Sequence, residues 1–169
     1  MPGGIDACRL EFVGFVCEWD ALPIDAKIPD DAVYFDGRAY KACGRSMTWQ
    51  EAKAYCEILG GHLVTITSQG EQEFITELLS DYPLKNLYWI GLYRDSQWAW
   101  VTGEDFSYAH WAYREPTSGQ NEVCGEIYGN PISGFRRGEW NDSFNQADTI
   151  SGFWNLSNVG FICEWETIP

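Results

Sequence analysis

Apolar and polar positions along this chain fall into two periods, helical first and alternating later. Val33-Tyr34-Phe35 and Arg38-Ala39-Tyr40 flank Asp36-Gly37, a tight-turn dipeptide, and predict two short strands. Trp49, Ala52, Tyr55, Cys56 and Leu59 recur at helical spacing. Thr48 with Glu51 three residues on predicts a capping box at the start of that helix, and Gly60-Gly61 its stop. His62 to Ile66 alternates as a strand. Ser68 and Glu71 predict a second capping box, opening a helix to Leu79 that buries Phe74, Ile75, Leu78 and Leu79. After Pro83, Tyr88–Leu92 and Trp98–Val101 read as compact apolar strands, and Val159 to Trp165 as the last one. From Gly103 to Asn158, Gly, Pro, Asn, Ser and Asp dominate and the period is lost. Unstructured stretches of that length inside a compact domain are usually functional. Two helices first, then short strands and a long loop region, spell an α+β domain.

One pattern recurs. Residues 13–23 read VGFVCEWDALP and residues 159–169 read VGFICEWETIP, with Cys17 and Cys163 lying 146 residues apart. That offset is one domain length rather than a solenoid period. The expected organisation is therefore a closing strand of a preceding copy plus a linker over 1–31, then one domain over 32–169, cut from a parent with tandem copies. Residues 20–32, with Pro23, Pro29 and several Asp, have linker composition.

Composition narrows the function classes. The formal net charge of −14 opposes binding to nucleic acid and docking on anionic membranes, and suits hard cations such as calcium. Plain solubility of a secreted protein explains the same surplus. Aromatic residues reach 16%, which serves cores and recognition surfaces alike. No stretch is apolar enough to span a bilayer, and Met1-Pro2-Gly3-Gly4 does not open a signal peptide, which suggests a fragment of something larger. Six cysteines (8, 17, 43, 56, 124 and 163) form no CxxC pair, and only His62 and His110 accompany them. An oxidising compartment with at least one disulfide fits better than a zinc site.

Several ordered motifs then carry a resemblance. They are Thr48-Trp49-Gln50-Glu51-Ala52 with Cys56, Gly61 to Ile66, Trp89-Ile90-Gly91-Leu92, Trp98-Ala99-Trp100, Glu115-Pro116-Thr117, Trp140-Asn141-Asp142 and Gly160 to Glu164. From about Tyr34 to Glu166 the chain resembles the C-type lectin-like domains, in the form found in bacterial surface proteins. The resemblance implies a C-type lectin fold: two helices, two small antiparallel sheets and long loops carrying the site. It also implies a disulfide from Cys56 to Cys163. The family's second bridge would run from Cys124 to a cysteine between the Trp-Asn-Asp motif and the last strand, but residues 143–162 contain none. Cys8–Cys124, Cys43–Cys124 and Cys8–Cys17 stay open as alternatives.

Read from the residues, Glu115, Glu122, Asn141 and Asp142 offer carboxylate and amide oxygens from two polar, turn-rich segments, a donor set suited to calcium. The resemblance implies a calcium (Ca2+) site of Glu115, Thr117, Glu122, Asn141 and Asp142, with the Glu115–Pro116 peptide cis. It implies that Glu115, Thr117, Glu122 and Asn141 also bind the sugar, and Glu at the first place resembles the mannose, fucose and glucose type. Thr117 departs from the family's Asn, since one hydroxyl cannot both ligate calcium and donate an amide N–H. The auxiliary calcium site of some members needs several acids after Gly91-Leu92, and only Asp95 is there. Ser143 to Asn158 is long and carries Phe144, Phe153 and Trp154. Trp154 is the candidate for stacking on a sugar ring, with a small core holding the loop down as the equal alternative.

Bland roles account for the rest. Trp49, Trp89, Trp98, Trp100, Trp140 and Trp165 read as core, and His62 as structural. His110 lies near Ser107 and Asp105 without an elbow motif, so no catalytic residue is assigned and the chain is not read as an enzyme. Arg136-Arg137 reads as a solvated pair. The expected partners are cell-surface or secreted glycans, with no nucleic acid and no membrane insertion. The competing reading is a protein-binding adhesion module of the same fold. Either would be secreted, on a cell surface in the parent protein.

Overall fold

A computed structural model describes residues 28–145 and 155–166. Helix α1 spans Trp49–Ile58 and starts as the capping box requires: Glu51 N–H donates to the Thr48 hydroxyl, and Thr48 N–H donates to the Glu51 carboxylate at 2.9 Å. It stops where Gly60 takes φ 75° and the N–H groups of Gly60 and Gly61 bond to the carbonyls of Glu57 and Cys56. Helix α2 spans Gln69–Asp81, and Ser68 caps it by accepting from Glu71 N–H. The second capping box is only half formed. Glu71 instead accepts from Thr67 N–H at 2.9 Å and from the Tyr40 hydroxyl at 2.8 Å, and is buried.

Among the described residues, eight strands make one sheet: β1 Val33–Phe35, β2 Arg38–Cys43, β3 His62–Leu63, β4 Leu87–Arg94, β5 Trp98–Trp100, β6 Glu122–Tyr128, β7 Trp140–Phe144 and β8 Val159–Glu166. The spatial order is β1-β2-β8-β4-β6-β7, with β3 on β8 and β5 on β4. All pairs are antiparallel except β4 with β8. The two small sheets of the expected α+β C-type lectin fold are thus joined through that parallel pair.

Strands β6 and β7 correct the reading of 103–158 as one unstructured stretch. Their sequences, EVCGEIY and WNDSF, bury Glu126, Asn141, Asp142 and Ser143. Polar residues at buried positions erase the alternation by which a strand is recognised.

Alternation along the central strands divides the interior in two. Trp89 of β4 and Phe161, Cys163 and Trp165 of β8 join Trp49, Tyr55, Cys56 and Leu59 of the α1 side. Tyr88, Ile90 and Leu92 of β4 and Ile162 of β8 join Ile75, Leu78 and Leu79 of α2, with Trp100 and Trp140. The indoles are anchored as well as buried: Trp89 donates to Met47 O, Trp49 to Ile90 O, and Trp165 to Leu59 O. Trp98 is the exception to the expected tryptophan core. It is half-buried, 5.0 Å from the Trp111 ring. No side chain fits at Gly160, where a Cβ would lie 2.3 Å from the Cys43 carbonyl oxygen, so β2 and β8 close only over a glycine.

Cys56 and Cys163 are bonded, across 107 residues of sequence. Cys124 is a buried free thiol, so neither Cys8–Cys124 nor Cys43–Cys124 forms; Cys43 is itself disulfide-bonded. The expected preceding strand and most of its linker, a Cys8–Cys17 bridge, Phe153 and Trp154 lie outside the described residues. Arg137 is not simply solvated: it donates to Gly129 O at 2.8 Å and to the Ser80 hydroxyl at 3.0 Å.

Arg38, at the start of β2, gathers four carboxylates from three segments: α2, the loop after β5, and β8. It meets Glu164 at 2.9 Å, Glu104 at 3.1 Å, Glu166 at 3.3 Å and Glu71 at 3.7 Å. Glu164 is fully buried and also accepts from Thr65 N–H at 2.8 Å. Burial first, then the charges of Glu71 and Glu166, push its carboxyl up to about 8, against the opposing pull of Thr65 N–H and Arg38.

Candidate functional site

The loop between β5 and β6 is tied to β7 before it reaches its acids. Ala112 N–H donates to Trp140 O at 2.8 Å, and Glu115 N–H closes a turn onto Ala112 O at 3.0 Å. At the tip of that turn Tyr113 is 79% exposed, with the Arg114 guanidinium over its ring. The Glu115–Pro116 peptide is cis, as expected. The chain then turns so that its next three N–H groups face carboxylates. Thr117 N–H is shared by Glu115 at 3.0 Å and Asp142 at 3.1 Å, and Ser118 N–H donates to Asp142 at 2.7 Å. Glu122 accepts from Gly119 N–H at 3.0 Å and from the Thr117 hydroxyl at 2.7 Å. Of the predicted ligands, Glu115, Thr117, Glu122 and Asp142 therefore belong to one hydrogen-bonded loop. Asn141 stands beside them on β7, its amide N–H donating to Glu126 at 2.7 Å. Trp154 lies outside the described residues.

Glu126 is the residue that the sequence reading missed. It lies in the middle of β6, opposite Asn141 in the register, and is 1% exposed. The signal was an acid two residues past Cys124, legible only once β6 is known to be a strand paired with the Asn-Asp segment.

Four carboxyl groups thus crowd one region, and among the described residues none of the four forms a salt bridge with Lys, Arg or His. Two of the four, Glu115 and Glu126, are shifted by that crowding. Burial, then the hydrogen bond with Asp142, raises the Glu115 carboxyl above its ordinary range, and the charges of Asp142 and Glu122 add to this. Burial pushes Glu126 up to about 8, with Asp142, Glu115 and Glu122 adding to it and the Asn141 amide opposing. A cation placed among such groups relieves their repulsion, and hard carboxylate and amide oxygens are the donors calcium takes. The chemistry of the set fits calcium.

The acids do not meet at a point, however. Among the described residues, the one trio of His, Cys, Asp or Glu whose ligand atoms lie within 4.8 Å of one another is His62, Glu164 and Glu166. The loop acids form no such trio, their oxygens being turned onto the N–H groups of residues 117–119. The His62 trio holds Arg38 at 2.9 Å from Glu164 and 3.3 Å from Glu166, so its charge already has a partner.

Comparison with known proteins agrees with this architecture. The model of the Lectin C-type domain matches residues 45–149, more than half of the chain. Mouse (Mus musculus) asialoglycoprotein receptor 2 is 35% identical over 127 residues, 70% of this chain and 38% of the receptor. Chicken (Gallus gallus) hepatic lectin is 35% identical over 118 residues, 66% of this chain and 51% of that protein. The chain thus spans about half or less of these relatives' length. Among solved structures, the cow carbohydrate-recognition domain of CD23, determined in the presence of a GlcNAc2Man3 oligosaccharide, superposes with TM-score 0.62 at 26% identity. That match covers 83% of this chain and 97% of CD23's. Human lithostathine shares the fold, with TM-score 0.66 at 23% identity, over 82% and 99% of the two chains. These relatives are animal proteins, and they lend no support to the bacterial form expected from the sequence. On the family model, the sheet order and the Cys56–Cys163 bond together, this chain belongs to the C-type lectin domain family.

Proposed function

We propose that this domain is a calcium-dependent carbohydrate-binding module whose ion is held by Glu115, Thr117, Glu122, Asn141 and Asp142. The observation that carries the reading is the Thr117 N–H shared between Glu115 and Asp142 across the cis-proline turn, which draws acids from two distant segments into one cluster. When bound, calcium would supply a Lewis-acidic centre able to take a pair of vicinal sugar hydroxyls into its coordination shell. The chain's own residues do the rest. Glu115 and Glu122 accept hydrogen bonds from those hydroxyls, Asn141 orients them, and the loop N–H groups hold the carboxylates in register. Nothing in this arrangement asks for a proton transfer or a nucleophile; the module binds without chemistry.

Glu115 in the first place supports a preference for mannose-, fucose- or glucose-type hydroxyl pairs, and Thr117 weakens the ion site relative to an amide. Trp154 extends the sugar contact in this reading. The domain works outside the cell, on secreted or cell-surface glycans, in a parent protein attached to the surface. The likeness of residues 13–23 to β8 supports tandem copies there, because the leading segment repeats what β8 needs. Gly14 matches Gly160 at the close approach to β2, Cys17 matches the bonded Cys163, and Glu18 and Trp19 match the anchored Glu164 and Trp165.

Calcium titration by calorimetry, followed by glycan-array binding with and without chelator, tests this function. The expected results are saturable calcium binding, a calcium-raised Tm and glycan signals that vanish in EDTA. If calcium has no effect and no glycan is retained, the protein-binding adhesion reading replaces it. The spread of the acids onto loop N–H groups is the observation that favours that second reading.

A further inference from the structure

Arg94 closes β4 and is half-buried, paired across the sheet with Trp98, whose ring centroid lies 5.8 Å from its guanidinium carbon. Its terminal nitrogen donates to the carbonyl of Gly119 at 2.6 Å and to that of Glu122 at 3.2 Å. Those two carbonyls bracket the turn in which Glu122 N–H bonds back to Gly119 O at 3.0 Å, while Gly119 N–H holds the Glu122 carboxylate. A Cβ at Gly119 would lie 2.2 Å from the Glu122 carboxylate oxygen, so a larger residue there would push that carboxylate aside. Among the described residues, Arg94 makes no salt bridge with the nearby acids, and its Nε is buried without an acceptor. A guanidinium so placed grips backbone rather than neutralising side chains: one terminal nitrogen spends its two N–H groups on the two carbonyls, held in place by the planar group stacked near Trp98.

We propose that Arg94 is the positioning residue of the ion site: from the rigid end of β4 it clamps the 119–122 turn through both carbonyls and presents the Glu122 carboxylate before any cation arrives. The proposal rests on the calcium reading for its consequence but not for its geometry. Residues behind a metal's direct ligands typically change its affinity by about 10–100-fold when replaced.

The experiment uses the whole chain with Arg94→Gln and Arg94→Lys. In metal-free protein, amide exchange at residues 117–122 should speed up about tenfold or more in Arg94→Gln, with Ile127 and Trp140 as protected as in the parent. Calcium affinity should fall by at least about tenfold in Arg94→Gln, and by less in Arg94→Lys, at an unchanged metal-free Tm. Unchanged loop exchange, or calcium affinity within about twofold of the parent in both variants, overturns the clamp. Should Arg94→Gln lose protection throughout, Arg94→Lys carries the same two readouts. A parent chain that ignores calcium defeats the function proposed above, and loop exchange alone then decides the clamp.

Discussion

Thr117 carries three duties at one residue: its N–H is shared by Glu115 and Asp142, and its hydroxyl donates to Glu122. A hydroxyl committed to Glu122 offers calcium only a lone pair, whereas an asparagine at that place would bring an amide oxygen, a stronger donor for a hard ion. Thr117→Asn should therefore tighten calcium binding severalfold, read by calorimetry at pH 7.5; weaker binding would show that the hydroxyl itself is needed. At this scale the cluster of acids was largely legible. Glu115 beside Pro116, and Asn141-Asp142 after Trp140, stand out in sequence because each acid or amide adjoins a residue with one structural meaning. Glu126 and Arg94 were not legible, because Glu126 meets Asn141 only through the pairing of β6 with β7, and Arg94 meets Gly119 and Glu122 only in the folded chain.

Among the elements, β8 shows how a charged residue can sit in the middle of the sheet. Glu164 is pushed up to about 8, chiefly by burial, although Arg38 lies 2.9 Å away. Its carboxyl holds a proton in the folded chain that an unfolded chain releases near pH 4.5, so between those values the folded state binds more protons. Stability should then fall as pH rises from about 5 to 8, the reverse of an acid whose folded pKa is depressed. A Tm series in EDTA across that range should decline, and Glu164→Gln, which cannot titrate, should reduce the slope and leave the part due to Glu126, raised to about 8 as well; a flat parent curve would contradict the assignment. The helices were read almost residue for residue, since a capping box and a 3.6-residue period are local signals. The half-formed box at α2 departs because Glu71 finds Tyr40, 31 residues away in sequence, a partner invisible to local spacing. β6 and β7 stayed hidden for the same reason on a larger scale: their buried polar residues make sense only in each other's company.

For the whole molecule, the Cys56–Cys163 bond ties α1 to the last strand across 107 residues. A cross-link over about 100 residues is worth roughly 4.7 kcal/mol in the chain-entropy model, and native bonds of this kind typically contribute about 2–5 kcal/mol. Replacing both with serine should lower the unfolding free energy by that amount in a denaturant titration, with little change in calcium affinity; a shift below about 0.5 kcal/mol would mean the sheet alone sets stability. Fold and disulfide were foreseeable because the motifs recur in a fixed order along most of the chain, whereas the bacterial form was a reading of style that the animal relatives did not support.

The six residue pairs from Arg38–Glu166 to Cys43–Phe161 lay β2, near the start of the domain, directly against the closing strand β8. A force pulling on both ends of the domain would be borne first by that antiparallel ladder and by the sulfur link behind it. The turn carrying Glu115 and Glu122 hangs from β6 and β7, away from this line of tension. Tension applied at the two ends of the domain would thus be taken up by β2, β8 and the sulfur link before it reached that turn.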